Sequence, residues 1–294
     1  MIRLARLFLV LLIAGGILGW WLTAPETSDP ELLAGITPDA THGRDVFNAA
    51  GCASCHQTEM VEDRLELGGG QAFPSDFGTF FAPNISPDPE HGIGRWQPID
   101  LVNAMRHGTS PDGSHYYPAF PYTSYGNATL YDITSLYAYL MTLPAVSTPD
   151  VAHDVGFPFN IRRLLGGWKL LFGRVGWTLR DAPGPETVRG RYLVEALGHC
   201  GECHTPRNVL GGLVRARWLS GAPNPTGKGR IPNITAAKLN WSDADLMAYF
   251  KTGLTPDFDS AGGHMAAVIR NLEQLPEEDL RAIIAYLRAV PSVE

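Results

Sequence analysis

A chain of 294 residues with 45% hydrophobic and 18% charged residues is globular, about two domains long, and not disordered. Its 23 Lys and Arg against 30 Asp and Glu leave a net charge of −7, which argues against nucleic-acid binding on a clustered basic surface. Four cysteines are too few for a disulfide scaffold of this length, and 32 Gly with 23 Pro point to short helices joined by long ordered loops.

The first predicted element is an apolar helix. Arg3 and Arg6 precede an apolar run over residues 7–22, about 24 Å as a helix. Leu4, Ala5, Thr23 and Ala24 extend it toward bilayer length. Trp20 and Trp21 sit at the far end, where indoles favour the membrane interface. Basic residues ahead of the run hold the N-terminus in the cytoplasm and export the rest, so the expected location is inner membrane-anchored with periplasmic domains. A cleaved signal peptide is the rival. Bulky Trp20-Trp21-Leu22, and Pro25 directly after Ala24, favour an uncleaved anchor. The anchor is assigned to residues 1–24 and a polar tether to 25–36.

The body is predicted all-α, as two copies of one unit at 37–146 and 184–294. In the first, Cys52-Ala53-Ser54-Cys55-His56 is followed by helical spacing over 100–107 and 132–143. A linker at 147–183 interleaves Phe157, Phe159, Trp168 and Leu171 with Arg162, Arg163, Lys169 and Arg174. It reads as a segment packed across both units, or as a basic-aromatic surface resting on a membrane or partner. In the second unit, Cys200-Gly201-Glu202-Cys203-His204 precedes helices over 242–252 and 277–290. Ser242 with Asp245 resembles a capping box, and Gly108 and Gly253 fit helix stops. The copies align at nearly constant offset: Cys52 with Cys200, Gly43 with Gly190, Pro83-Asn84-Ile85 with Pro232-Asn233-Ile234, Trp96 with Trp241, Tyr139 with Tyr286.

Cys-x-x-Cys-His is the attachment motif of c-type haem. Thiols at i and i+3 lie on one face of a helical turn and meet the two vinyl groups, while the adjacent imidazole ligates the iron. Cys52, Cys55, Cys200 and Cys203 are therefore expected to hold two covalently bound haem c groups, with His56 and His204 as axial ligands. Zinc pairs lie closer together than Cys55 and Cys200, and thioredoxin-like surroundings for redox disulfides are missing.

On the far side of the second iron, Met265 in a Gly262-Gly263-His264-Met265 loop is the expected sixth ligand, with Met247 and His264 as alternatives. The same offset places Phe120 in the first copy, which cannot ligate. His115 is the best replacement there, beside a five-coordinate iron and the candidates Met60, Met105, Met141, His91 and His107. Backbone carbonyls of Pro74 and Pro223 are candidate partners for the second ring nitrogens of the ligating histidines. Arg95 and Arg230 are candidate propionate partners.

With Pro83-Asn84-Ile85-Ser86-Pro87-Asp88, Gly92-Ile93-Gly94-Arg95-Trp96, Tyr117-Pro118-Ala119-Phe120-Pro121-Tyr122-Thr123-Ser124-Tyr125 and Leu136-Tyr137-Ala138-Tyr139-Leu140, the sequence resembles the class I cytochrome c domains in cytochrome subunits of bacterial membrane-bound alcohol, aldehyde and gluconate dehydrogenases. The resemblance covers roughly residues 38–291. It implies two tandem class I cytochrome c domains that carry electrons in the periplasm from a redox partner such as a membrane-bound dehydrogenase toward a quinone-linked complex, terminal oxidase or soluble cytochrome. It implies an electron-transfer subunit rather than an enzyme by itself. Such subunits often carry three haems and a C-terminal membrane contact, and Met often stands at the Phe120 position. The alternative is a haem enzyme or small-ligand sensor using an open first iron.

Overall fold

The computed structural model describes residues 2–173, 175–225 and 229–294. Helix α1 (Ile2–Leu22) has 21 residues and none of them is buried. It is long and apolar enough to cross a membrane, at about 31 Å by helical rise. The predicted tether is not a free spacer. The Ser28 N–H donates to Asn103 Oδ1 at 2.7 Å and its hydroxyl lies 2.7 Å from His107 Nε2, so the segment is laid along the first unit.

Each unit is framed by two crossed helices. In the first, α2 (Ala40–Ala49) packs against α6 (Leu130–Leu140), and α3 (Cys52–His56) and α4 (Pro98–His107) lie between them in sequence. Short α5 (Tyr122–Tyr125) precedes α6. In the second, α8 (Gly184–Arg191) runs into a π-helical turn (Tyr192–Leu197) and packs against α12 (Glu277–Ala289). Between those come α9 (Gly201–His204), α10 (Asp243–Thr252) and α11 (His264–Leu272).

The crossings repeat residue for residue. A Cβ on Gly43 would lie 2.0 Å from the Ser135 carbonyl oxygen, and one on Gly190 would lie 1.9 Å from that of Ala282. Only a glycine lets the backbones meet this closely. Beside the first crossing His42 Nε2 is 2.5 Å from Asp132 Oδ1, and beside the second Arg189 makes a two-pronged contact to Asp279 at 2.7 Å. Val46 and Phe47 pack with Ile133, Leu136 and Leu140, and Leu193, Val194 and Leu197 with Leu280, Ile283 and Leu287. One buried apolar cluster runs through both units.

Local signals acted as the sequence implies. Gln97 with Asp100 and Ser242 with Asp245 form capping boxes on α4 and α10, and Gly108 (φ 60°) and Gly253 (φ 73°) end those helices. The all-α expectation needs one amendment. Each unit also holds a short antiparallel ribbon, β1 (Ala72–Ser75) with β2 (Gly78–Phe81), and β3 (Ala222–Pro223) with β4 (Arg230–Ile231). These ribbons are too short for apolar alternation to register, and each contains a proline.

The linker packs on both units. Asp154 and Thr79 exchange backbone bonds of 2.9 and 2.8 Å with the first, and the Leu179 N–H donates to Glu195 Oε1 at 2.9 Å in the second. It also forms α7 (Leu165–Phe172), which sequence spacing did not predict. Arg174 lies outside the described residues.

Gly43→Ala or Gly190→Ala is expected to lose roughly 1–3 kcal/mol through overpacking at the crossing. Denaturant unfolding of each variant checks this. Gly156→Ala serves for comparison, because its added carbon meets nothing within 4 Å and its backbone is not left-handed.

Candidate functional site

The first Cys-x-x-Cys-His segment is α3, and the second runs from Cys200, the N-cap of α9, through His204; each is a single turn that begins soon after the framing helix ends. A left-handed Gly51 (φ 65°) turns the chain from α2 into α3. The i, i+3 spacing brings each thiol pair to one side of its turn. Burial pushes the Cys52 and Cys200 thiols up to about 12 and Cys55 to about 11. Thiols held neutral in this way are not the reactive thiolates of a redox enzyme.

The histidines are oriented identically. His56 Nδ1 donates to the Pro83 carbonyl at 2.8 Å, and His204 Nδ1 donates to the Pro232 carbonyl at 2.8 Å. A carbonyl only accepts, so Nδ1 carries the proton and Nε2 keeps its lone pair for a metal. Burial holds both imidazoles below the usual histidine range and therefore neutral.

These partners correct the expectation of Pro74 and Pro223, which lie in β1 and β3 instead. The Pro83 and Pro232 loops reach the histidines because two glycines make room. Gly69 (φ +70°) donates its N–H to the His56 carbonyl at 2.9 Å, and Gly221 (φ +81°) donates to that of His204 at 2.7 Å. A Cβ on Gly69 would lie 2.4 Å from the Ala82 carbonyl oxygen, and one on Gly221 would lie 2.7 Å from that of Ile231.

Asn84 and Asn233 hold the same loops from behind. Asn84 Nδ2 donates to the Val146 and Thr148 carbonyls at 2.7 and 2.9 Å, and Asn233 Nδ2 donates to the Val293 carbonyl at 2.7 Å. Sequence reading quoted the repeated Pro-Asn-Ile phrase but gave these asparagines no role. Their repetition was the available signal.

The two attachment turns come together at the centre of the molecule. Cys203 lies near enough to Cys55 for their charges to interact. The distal segment of each copy packs on the attachment turn of the other. From the first copy, Thr123 and Ser124 hydroxyls donate to Glu202 Oε1 at 3.2 and 3.3 Å, and the Tyr125 ring stands edge-on to His199 at 5.5 Å. From the second, α11 lies along α3, where Asn271 Nδ2 donates to Ser54 Oγ at 2.6 Å. Arg64, unnoticed in the sequence, ties this contact by donating to the Arg270 carbonyl at 3.0 Å and to the Asn271 side chain.

The distal candidates separate clearly. Met265 stands in the first turn of α11 rather than in a loop, half-buried against the core. Its neighbour His264 is exposed and stacks at 6.2 Å on Phe73 of the first copy. Met247 lies inside α10 and packs against the core. In the first copy, Phe120 takes part in an aromatic cluster, 5.8 Å from Tyr116 and 5.6 Å from Tyr125.

His115 is buried, and its Nε2 donates to the Thr23 carbonyl at 3.0 Å, just past the end of α1. Only its Nδ1, which has no hydrogen-bond partner, is left for any metal. Arg95 and Arg230 are exposed.

The donor set fits haem c twice over: a thiol pair on one turn, a neutral imidazole with Nε2 free, and in the second copy a thioether on a helix start.

Comparison with known proteins agrees. The family described as cytochrome c matches residues 40–144. A protein described as "Diheme cytochrome c-type" from Cereibacter sphaeroides is 57% identical over 288 residues, covering 97% of each chain. The fructose dehydrogenase cytochrome subunit of Gluconobacter japonicus is 39% identical over 274 residues, 91% of this chain and 56% of that one. The cytochrome c subunit of alcohol dehydrogenase (quinone) from Gluconacetobacter polyoxogenes is 35% identical over 286 residues, 89% of this chain and 60% of that one. The chain thus spans a little over half the length of these two dehydrogenase subunits.

Asn84→Ala is expected to cost roughly 1–3 kcal/mol, since it removes the amide bonds to the half-buried Val146 and Thr148 carbonyls and strands the buried Ser86 N–H that Asn84 Oδ1 now accepts. Urea unfolding followed at the far-ultraviolet circular dichroism band measures the loss.

Proposed function

Because the chain belongs to the cytochrome c family, we propose that it is a membrane-tethered, periplasmic dihaem cytochrome c. It transfers electrons between a dehydrogenase or other respiratory donor and a downstream acceptor. The observation that carries this reading is the matched pair of 2.8 Å bonds from His56 and His204 to the Pro83 and Pro232 carbonyls. The dehydrogenase side rests on the names of the relatives, and the tether on α1.

Haem c, when bound, supplies a one-electron iron couple. The residues of this chain supply everything around it. Cys52 with Cys55, and Cys200 with Cys203, fix the group to the turn. The carbonyl bonds lock each imidazole in one orientation and raise its basicity as a ligand. Met265 would offer a thioether in the second copy, and a histidine–methionine ligand pair would favour a high potential. The contacts of Tyr125 with His199 and of Asn271 with Ser54 keep the two attachment turns at a fixed separation.

The first copy differs because Phe120 has no lone pair to offer. That observation favours a second reading, in which an open first iron binds a small ligand as an enzyme or sensor would.

Optical and electron paramagnetic resonance spectra with and without carbon monoxide test both readings. With an open first iron, the reduced protein binds about one carbon monoxide per chain, and Met265→Ala raises this to about two and lowers the potential of the second couple. Phe120→Met brings the wild-type stoichiometry toward zero. A wild-type protein that is wholly low-spin and rejects carbon monoxide overturns the open-iron reading. Unchanged carbon monoxide binding in Met265→Ala overturns the assignment of Met265.

A further inference from the structure

The linker is built the opposite way round from an ordinary surface segment. Between residues 157 and 171 its cations face inward. Arg162 donates to the His115 carbonyl at 3.1 Å and stacks over the Tyr117 ring at 4.8 Å. Arg163 lies 4.1 Å over the Trp20 ring and donates to the Trp20 carbonyl. Lys169 Nζ donates to the His107 and Gly108 carbonyls at 2.6 and 2.8 Å and sits over the Tyr122 ring.

Its apolar side chains face outward. Phe157 is 81% exposed and Leu171 66%, with Leu164 and Leu170 exposed beside them. A second segment joins this face. Trp168 Nε1 donates to the Leu210 carbonyl at 2.8 Å, and beside it Val209 projects with 93% of its surface exposed. Chains in water turn their cations out and cover such apolar surface, so a contiguous apolar face marks an interaction site.

The position of the face identifies what covers it. A Cβ on Gly166, at the start of α7, would lie 2.2 Å from the Thr23 carbonyl oxygen, one residue beyond α1. Arg163 grips Trp20 inside the last turn of α1. Trp20 and Trp21 are the residues that settle at the headgroup level of a membrane-crossing helix. The linker is therefore fastened to α1 at the level where hydrocarbon gives way to water.

We propose that the outward face of residues 157–171, together with the 208–211 tip, is seated in the interfacial layer of the same bilayer that α1 crosses. This rests on the anchor reading of α1. The segment acts as a second, monotopic foot. Two attachments fix the tilt of the domains relative to the membrane, where a single helix would let them swing.

The full-length holoprotein is reconstituted into phosphatidylcholine–phosphatidylglycerol vesicles doped with a phosphatidylcholine whose acyl chain carries a diazirine. After illumination, adducts are mapped by peptide mass spectrometry. The expected result is labelling of α1 and of both outward segments. The 157–171 peptide should carry at least ten times the adduct of a peptide around Gln274, an exposed polar turn between α11 and α12. Labelling of α1 alone, with 157–171 at the Gln274 level, overturns the proposal and leaves the anchor standing; it would leave the face to a protein partner. Absence of label on α1 overturns anchor and foot together. Leu170→Gln with Leu171→Gln should cut the linker adduct several-fold while leaving that on α1 unchanged.

Discussion

The structure depends on two backbone-to-backbone crossings. At Gly43 and Gly190 the opening helix of each unit meets its closing helix so closely that no side chain fits between them. Each crossing fixes where the opening helix ends, and an attachment turn begins a few residues later. The direction of the thiols and imidazoles is therefore set by a contact whose nearest atoms belong to the main chain. A charged or polar pair beside each crossing, His42 with Asp132 and Arg189 with Asp279, keeps the helices in register. The chemistry of that pair has changed between copies while its place has not.

The second constraint is the loop that presents a carbonyl to the histidine of each Cys-x-x-Cys-His turn. A lone imidazole on a one-turn helix would rotate. Pro83 and Pro232 remove that freedom, Gly69 and Gly221 let the loop approach, and Asn84 and Asn233 tie it to the chain beyond the closing helix. Through these bonds the last residues of each unit help to orient its imidazole. That explains why a fold of short helices and long loops stays ordered around the site.

Much of this was legible in the sequence because it is written in local chemistry. Cys-x-x-Cys-His, the constant offset, the capping boxes and the helix-ending glycines each act within a few residues. What escaped depends on distant partners. Pro74 and Pro83 are equally plausible by spacing from His56, and only the path of the chain past Gly69 selects Pro83. Met265 looked like a loop residue because Gly262 and Gly263 precede it, yet they mark the boundary where α11 begins. Helix α7 was hidden because its apolar residues cover no core stripe of their own, and its cations are satisfied by carbonyls far away in sequence. Arg64 was invisible for the same reason, since its partners Arg270 and Asn271 lie 206 and 207 positions away.

The copies diverge most on the distal side, and the reciprocal packing explains how that divergence is tolerated. In the second copy the residue aligned with Phe120 lies in the first turn of a nine-residue helix along the attachment turn of the first. In the first copy the corresponding stretch reaches the other turn through a four-residue helix. Each distal segment thus has two tasks, one toward its own iron position and one toward its neighbour. At Phe120 the two have come apart. The ring cannot ligate, but it packs at a tilt against Tyr125, whose hydroxyl donates to the Ala50 carbonyl at 3.2 Å and whose ring meets His199. Phe120 keeps the neighbour contact but offers no lone pair, so under the proposed reading the two sites would differ in coordination without the interface between them changing.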